Sequence, residues 1–298
     1  MTEQRKLQAI ILDWAGTTLD YGCYAPAVVF QQVFEEKGVP ITMAEAREPM
    51  GAHKKVHIRK ITKNPAVQER WEGTYGRLPN ENDVKEMFAS FVPKQLACLA
   101  DYADLIPGTL EALAQFREQG LKIGSTTGYT GEMMQLLLKE ANQRGYAPDV
   151  TVCSTGDYAV RRGDNYEWGQ VQGIGEGWNI SRPAPHMCNL NMMLLGVSEP
   201  SLCVKVDDTL LGIEEGRKAG MWTMGLAQTG NELGLNEKEI AQLSHPELTL
   251  RLKETYRRMY GAGADYVVAG IGDVPAVVEK INADLAKGRL PYRSLSLA

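Results

Sequence analysis

The stretch LQAIILDWAGTT, residues 7–18, decides the fold of this chain. Its first eight residues form a near-continuous apolar run of strand length, which is typical of a parallel strand buried on both faces. Asp13 stands at the end of this run, and Gly16, Thr17 and Thr18 then break it. Taken alone, a carboxylate in this place is a turn cap, a metal ligand or a nucleophile. The other strand ends must decide between these interpretations.

Similar strand patterns recur along the chain and alternate with helical patterns. The strand-like stretches are residues 121–127, 150–154, 202–208, 221–226 and 266–271, and the helix-like stretches between them include 107–120 and 209–220. This alternation predicts an α/β fold with a doubly wound parallel sheet.

One region breaks the alternation. Residues 25 to about 100 carry helical patterns and almost no strand signal. We therefore predict a core domain of residues 1–22 and 101–298 with an inserted helical cap domain of residues 23–100. The cap is expected over the carboxyl edge of the sheet, where ligands bind in open α/β folds.

Composition and charge narrow the class of protein. The 298 residues are 44% hydrophobic and 23% charged, with a formal net charge of −5, which is ordinary for a globular chain. The absence of a basic block argues against a nucleic-acid partner. No apolar run approaches the roughly 20 residues that span a bilayer, so no membrane partner is expected. The five widely spaced cysteines include no CxxC pair and indicate a cytoplasmic protein.

Polar side chains follow several of the predicted strands. Asp13 ends the first strand, Thr126 lies at the end of the second, and Asp208 follows the strand at 202–208. Arg182, before a helical pattern, supplies a cation able to hold a nucleophile and a transferring group together. Parallel strand ends meet at one edge, so we expect these groups to share one site. Two carboxylates and a backbone carbonyl give the oxygen coordination of Mg²⁺, the expected cofactor.

These motifs resemble those of a known family. Asp13 in DWAGTT, Thr126 in STTGYT, Arg182 in SRPAP and Asp208 in VDDT resemble the four motifs of the haloacid-dehalogenase superfamily. The stretches DWAGTTLDYGCYAP, KIGSTTGYTGEMM and EEGRKAGMWTMG resemble the phosphonatase family, and the agreement extends over most of the chain. That family hydrolyses the carbon–phosphorus bond of phosphonoacetaldehyde. The resemblance implies a small phosphonate substrate, Asp13 as nucleophile, and Asp13, the Ala15 carbonyl and Asp208 as metal ligands.

The residue at position 15 helps to predict whether the leaving group is an oxygen or a carbon. Phosphatases of the superfamily usually carry an Asp there, which protonates a leaving oxygen, whereas this chain has Ala15. A carbon leaving group instead needs an electron sink, which the protonated imine of a lysine supplies. Lys54 matches the Schiff-base lysine of the family. If the segment is helical, Met50, Lys54 and His57 share one face, because they stand at i, i+4 and i+7.

The alternative is that residues 53–55 form a solvated charged turn. A lysine that forms an imine must be partly neutral at pH 7, so burial or neighbouring cations must lower its pKa from about 10.4. The resemblance further implies that Cys23, His57 and Tyr129 surround the aldehyde or assist proton movement. Cys23 is equally a small buried hydrophobe, and Tyr129 an ordinary aromatic at a helix start. The implied catalytic set is Asp13, Lys54, Thr126, Arg182, His57, Tyr129, Cys23 and Met50.

The chain departs from the family pattern in three places. The family has VGDT where this chain has Asp207 before Asp208, and a further Asp where this chain has Gly212. Whether Asp207 compensates by position, and how metal affinity responds, is left open. Residues 156–181 are about twenty residues longer than the usual connection and form either a functional loop or an added hairpin. Their GIGEG sequence resembles a phosphate loop only weakly.

Two rival functions remain open. One is a phosphatase of the same superfamily acting on a small phosphate ester, with Lys54 as a cation that binds the substrate. The other is a non-catalytic binding protein on the same scaffold. Family cap helices commonly form a dimer contact, so a homodimer is expected through the helical segment at 25–50, whose VVFQQVF stretch at 28–34 is apolar. Alternatively, the apolar stripe at 28–34 packs within the cap.

Overall fold

The computed structural model of the chain describes residues 5–172 and 180–291. Within them, eight strands form one sheet in the order β5-β4-β3-β2-β1-β6-β7-β8. The strands are β1 (Ala9–Leu12), β2 (Lys122–Thr127), β3 (Val150–Cys153), β4 (Asp157–Arg162), β5 (Asn165–Gln170), β6 (Cys203–Asp207), β7 (Trp222–Leu226) and β8 (Tyr266–Val268).

Six of these strands run parallel. They are β1, β2, β3, β6, β7 and β8, and every residue of β1, β3, β6 and β7 is buried. Burial on both faces explains why these segments are near-continuous apolar runs in the sequence. The predicted α/β fold with a parallel sheet is confirmed.

Helices connect the strands and cover the sheet. The segments that follow the cap are α6 (Thr109–Glu118), α7 (Gly131–Gln143), α8 (His186–Leu194), α9 (Leu210–Lys218), α10 (Glu237–Gln242), α11 (His245–Gly261) and α12 (Val274–Ala286). The helix α8 packs on β1, β2 and β3, and α9 packs on β6 and β7. None of the described helices combines the length and the apolar character needed to cross a membrane.

The segment between β1 and α6 is helical, as its sequence pattern predicts. It contains α1 (Tyr24–Glu36), α2 (Met43–Arg47), α3 (Lys54–Ile61), α4 (Pro65–Tyr75) and α5 (Glu81–Cys98). The helix α5 packs against both α1 and α3, and α1 also packs against α2. Phe30 and Phe34 are fully buried in this packing, so most of the apolar stripe at 28–34 is covered within the chain. The domain boundaries at residues 22/23 and 100/101 stay a prediction.

The long connection before Arg182 begins as a hairpin. The strand β4 pairs antiparallel with β3 and with β5, which extends the sheet at its edge. Gly169 in β5 makes room for the ring of Tyr158, because a Cβ at Gly169 would lie 2.4 Å from Tyr158 Cζ. Of the two alternatives for residues 156–181, the hairpin therefore holds for residues 157–170. The GIGEG sequence, residues 173–177, lies outside the described residues.

Candidate active site

Asp13 and Arg182 form a buried ion pair where the carboxyl ends of β1 and β2 meet. Arg182 donates from Nη1 to Asp13 Oδ2 at 3.0 Å and from Nη2 to Asp13 Oδ1 at 2.7 Å. The same Nη2 donates to the Thr126 carbonyl at 2.9 Å and to Thr126 Oγ1 at 2.8 Å. Both members of the pair are almost wholly screened from solvent. The structure thus brings together three of the residues that the sequence places at one edge.

Two further carboxylates contact the Arg182 guanidinium in addition to Asp13. Arg182 Nε donates to Glu215 Oε2 at 3.0 Å, and its Nη2 lies 3.3 Å from Asp207 Oδ2. Burial opposes the charge of Arg182, but the carboxylates of Asp13, Asp207 and Glu215 outweigh it and raise the pKa of Arg182 well above its usual value. Arg182 is therefore a permanent cation whose orientation is fixed by bonds from several directions.

Three carboxylates form a group able to hold a metal ion. Asp13, Asp207 and Asp208 each offer an oxygen, and these atoms lie within 4.8 Å of one another. Asp208 accepts from Thr17 Oγ1 at 3.2 Å and from the Asn231 amide at 2.7 Å. Burial, and then the charges of Asp13 and Asp207, raise the pKa of Asp208 well above its usual range. This excess of negative charge is the condition that a bound cation relieves.

Two glycines make room for the Asp208 side chain, and the buried carboxylates around it favour a divalent metal ion. A Cβ at Gly16 would lie 2.1 Å from Asp208 Oδ2, and one at Gly230 would lie 2.0 Å from Asp208 Cβ. The Asp208 side chain therefore lies in a space that only glycine leaves free. Ala15, whose carbonyl is the predicted third ligand, lines the same cavity as Asp13. The buried carboxylates of the site are Asp13, Asp207, Asp208 and Glu215, and they outnumber its buried cations, which are Arg182, Lys205 and Lys54.

Lys205 and Glu215, which the sequence patterns do not identify as site residues, complete this network. Lys205 Nζ donates to Thr126 Oγ1 at 2.8 Å and lies 2.9 Å from Asp207 Oδ2. Glu215, on α9, accepts from Thr126 Oγ1 at 3.2 Å in addition to Arg182. A signal for Lys205 was present, because a lysine inside the apolar strand VKVD must find a buried partner. Nothing comparable marks Glu215, since its burial depends on how α9 packs on the sheet.

The network makes a prediction for stability. Lys205→Met is expected to lower the free energy of unfolding by roughly 3–5 kcal/mol, because it leaves the Asp207 carboxylate buried with fewer partners. The matched control is Lys218→Met, since Lys218 lies 3.3 Å from Glu214 in an exposed i,i+4 pair. The control is expected to change the unfolding free energy by about 0.5 kcal/mol or less. Equilibrium unfolding in urea measures both, and equal losses would contradict the prediction.

Lys54 lies in the same cavity as Asp13 and Arg182. Its side chain is 3% exposed, and its Nζ lies 4.6 Å from the centroid of the Tyr129 ring. Burial lowers the pKa of Lys54 to about 8; Cys23 and Asp13 oppose this shift, and Arg182 adds to it. A solvated charged turn does not describe this residue. Lys54 is a buried amine with a sizeable neutral fraction near neutral pH.

The predicted helical face of Met50, Lys54 and His57 is wrong for Met50. The helix α3 begins at Lys54, with His53 as its N-cap and the His53 ring accepting a hydrogen bond from the Lys55 amide. Gly51 has a φ of +92°, so the backbone between Met50 and α3 is not helical. Met50 nevertheless lines the cavity beside Gly51. A single helix over residues 50–57 does not form, because the turn at Gly51 precedes the start of α3 at Lys54.

His57 lies behind Lys54. It is fully buried, its Nε2 is 2.8 Å from the Ala46 carbonyl, and its ring stacks on Phe30 with centroids 3.8 Å apart. It is not among the described residues that line the cavity. Burial, and then the Lys54 charge, lower the pKa of His57 well below its usual value. His57 is therefore neutral at neutral pH and packs behind Lys54; its part in proton movement stays a prediction.

Cys23 and Tyr129 line the cavity opposite Lys54, and both are 2% exposed. Burial, followed by neighbouring carboxylates, raises the pKa of Cys23 and that of Tyr129 well above their usual values. Both groups are thus protonated at neutral pH. Among the described residues, the Tyr129 hydroxyl has no hydrogen-bond partner, which leaves it available to a bound molecule.

The chain matches the family model for haloacid dehalogenase-like hydrolases over residues 7–220, and it belongs to that class. The phosphonoacetaldehyde hydrolase of Syntrophobacter fumaroxidans is 42% identical and aligns over 96% of this chain and 95% of its own length. The one from Bacillus cytotoxicus is also 42% identical, over 93% of this chain and 97% of its own. Within the class, this chain is therefore a member of the phosphonoacetaldehyde hydrolase family.

A solved structure agrees with this assignment. The crystal structure of a phosphonoacetaldehyde hydrolase-like protein from Oleispira antarctica superposes with a TM-score of 0.87 at 38% identity, and the match covers 97% of both chains. The family resemblance inferred from the motifs is confirmed.

Proposed function

We propose that this chain hydrolyses the carbon–phosphorus bond of phosphonoacetaldehyde, or of a close phosphono-aldehyde, to the aldehyde and phosphate. The observation that carries the proposal is the cavity that Lys54 shares with the Asp13–Arg182 pair. An amine with a pKa of about 8 suits imine formation, and a carboxylate held by Arg182 suits attack on phosphorus. The names of relatives about 40% identical support the same activity.

Mg²⁺ is the proposed cofactor, and Asp13, the Ala15 carbonyl and Asp208 are its proposed ligands. When bound, the ion neutralises part of the repulsion between the Asp13 carboxylate and the anionic phosphonate. Oxygen ligands of this kind suit magnesium better than softer metals.

The first proposed step takes place on Lys54. Its neutral amine adds to the aldehyde carbon, one proton is taken up from solvent and water leaves, which gives a protonated imine. The positive nitrogen is the electron sink that a carbon leaving group requires. Tyr129, Cys23 and Met50 are proposed to enclose the aldehyde end, and the Tyr129 hydroxyl donates or accepts the proton that moves during dehydration.

The second proposed step breaks the carbon–phosphorus bond. Asp13 attacks phosphorus, and the bonding pair moves into the imine, which leaves an enamine on Lys54 and a phosphoryl group on Asp13. Arg182 is proposed to hold the nucleophile and the phosphoryl oxygens in line, and Thr126 holds Arg182 in position. Water then hydrolyses the acyl phosphate. Protonation of the enamine carbon and hydrolysis of the resulting imine release the aldehyde and restore Lys54.

The decisive experiment is a phosphate-release assay with phosphonoacetaldehyde beside a panel of phosphomonoesters. We expect turnover of the phosphonate and little release from the esters, because Ala15 offers no acid to a leaving alkoxide. Preference for an ester would establish the rival phosphatase function. Tight binding of these compounds without turnover of any of them would establish a binding protein.

The Lys54 pKa predicts how the rate depends on pH. Only the neutral amine attacks an aldehyde, so kcat/KM is expected to rise about tenfold per pH unit below the pKa of about 8 and to level above it. Initial rates between pH 6 and 9 measure this profile. The affinity for ethylphosphonate, which has no carbonyl, is the control and is expected to lack this rise. A level kcat/KM over the whole range would contradict a role for neutral Lys54.

The proposal extends to the organisation of the protein. We infer a core domain of residues 1–22 and 101–298, a cap domain of residues 23–100 and a cytoplasmic location, the last supported by the five free cysteines. A homodimer also stays a prediction. Because Phe30 and Phe34 are buried within the chain, a dimer contact must use other residues.

A further inference from the structure

Arg47 is the last residue of α2, and its side chain bonds to parts of the chain outside that helix. Its Nη1 donates to the Gly22 carbonyl at 2.6 Å and to the Cys23 carbonyl at 3.2 Å, in the link between β1 and α1. The same nitrogen donates to Asn231 Oδ1 at 3.3 Å, in the loop that follows β7. Arg47 is 8% exposed, so these oxygens replace most of the water around its guanidinium. The buried cation therefore joins the helical segment between β1 and α6 to a loop at the carboxyl edge of the sheet.

The contact between Arg47 and Asn231 is reciprocal. Asn231 Nδ2 donates back to the Arg47 carbonyl at 3.3 Å, and the Asn231 backbone amide donates to Asp208 Oδ2 at 2.7 Å. Gly234, in the same loop, has a φ of +68°, and a Cβ there would lie 3.1 Å from Arg47 Nε. One short loop thus contacts Arg47 on one side and a carboxylate of the active site on the other.

The residue before Arg47 holds the helix that carries Lys54. His57 Nε2 lies 2.8 Å from the Ala46 carbonyl, and because a carbonyl only accepts, the histidine donates this bond. His57 follows Lys54 by about one turn of α3. Two consecutive residues of α2 therefore bond in two directions, Ala46 to α3 and Arg47 to the loop after β7. A shift of α2 is passed on to Lys54, whereas Asp13 stays at the end of β1.

We propose that Arg47 and Asn231 are positioning residues of the reaction: their mutual contact seats α2 on the loop after β7 and so sets the distance between the Lys54 amine and the Asp13 carboxylate. Neither is among the described residues that line the cavity, so each acts through its neighbours rather than on the substrate. The inference rests on the proposed function, because only a reaction that uses both groups on one substrate depends on this distance. A misplacement of about 1 Å is enough to lower a rate by on the order of 10²-fold.

Steady-state kinetics and borohydride trapping, both with phosphonoacetaldehyde, test the proposal. Arg47→Met keeps an unbranched side chain without the guanidinium and is expected to lower kcat by about 10- to 100-fold. Asn231→Ala leaves every charge and the backbone bond to Asp208 in place, and it is expected to lower kcat by about 3- to 10-fold. The double variant is expected to lose no more than about twofold beyond Arg47→Met, because the two residues share one contact.

The trapped adducts distinguish misplacement from a general loss of structure. Imine formation needs Lys54 alone, whereas bond cleavage needs Lys54 and Asp13 in line on the same substrate. Both single variants are therefore expected to yield a larger share of the adduct that still carries the phosphonate than the wild type does. Mass spectrometry of the reduced protein measures this share.

Arg70 provides the matched control, because it bonds to the same helix from within the helical segment. Its Nη2 donates to Glu45 Oε1 at 2.6 Å, and Arg70→Met is expected to change neither kcat nor the share of the two adducts. Thermal melts show whether each variant is folded, and Asn231→Ala decides the matter if Arg47→Met is not. Wild-type kcat in either folded variant, or a loss of rate with an unchanged share of the adducts, would overturn the inference. If the wild type yields neither phosphate nor an adduct, the proposed function fails instead.

Discussion

Lys54→Arg is expected to lower kcat for phosphate release from phosphonoacetaldehyde by on the order of 10⁴-fold, the scale of loss found when a covalent catalytic group is removed. Arginine keeps the positive charge and much of the length of lysine, but it remains protonated at any pH the protein tolerates. It therefore binds the anionic substrate without forming an imine. The loss is expected in kcat, with a smaller change in KM.

Borohydride trapping distinguishes loss of the imine from other effects of the Lys54→Arg substitution on activity. Wild-type protein treated with substrate and borohydride is expected to gain a reduced adduct on Lys54, detected by mass spectrometry, and Lys54→Arg is expected to gain none. Lys55→Arg is the matched control, because Lys55 is the next residue in α3 and is only half-buried. Its rate and its labelling are expected to match the wild type. A Lys54→Arg protein that turns over phosphonoacetaldehyde at the control rate would exclude the imine step.

Asp13→Asn is expected to reduce phosphate release by on the order of 10⁴-fold or more, because an amide does not attack phosphorus. The variant keeps Lys54, so imine formation is expected to survive. Borohydride is then expected to trap an adduct that still carries the phosphonate, whereas the wild type also yields an adduct that has lost it. The mass of the adduct thus reports which of the two steps has stopped.

The fold is expected to tolerate this change. Arg182 keeps its bonds to Glu215 and Thr126, and the amide oxygen of Asn still accepts one hydrogen bond. Asp101→Asn, on the exposed surface, is the control and is expected to be fully active. If Asp13→Asn retained the control activity, or if its trapped adduct had lost phosphate, the nucleophile would have to be another group.

The sequence was sufficient to predict the sheet and the meeting of Asp13, Thr126, Arg182 and Asp208. The sheet follows from the alternation of strand and helix patterns, and the meeting of Asp13, Thr126 and Asp208 follows from the shared edge of parallel strand ends. Strands that are buried on both faces are mostly apolar, so β1 and, apart from Lys205, β6 can be recognised in the sequence. Residues at those ends can be assigned to one site without knowledge of the packing.

Other parts of the site depend on contacts that a linear pattern does not specify. The start of α3 is set by the His53 cap and by the turn at Gly51, so the helical spacing from Met50 was misleading. Glu215 reaches Arg182 only because of how α9 packs on β6. The burial of His57 follows from its stacking on Phe30, and no spacing distinguishes it from a residue that faces the cavity.

The space shared by residues 207 and 212 also limits how this protein can evolve. One carboxylate fits there and two do not, since a side chain at 212 would coincide with that of Asp207. A lineage that carries Asp at both positions would overfill a packed interior. A stepwise exchange of the carboxylate between the strand end and the helix must therefore pass through an ancestor that has no carboxylate at either position. Such an ancestor lacks the group altogether, so each arrangement, once reached, tends to persist.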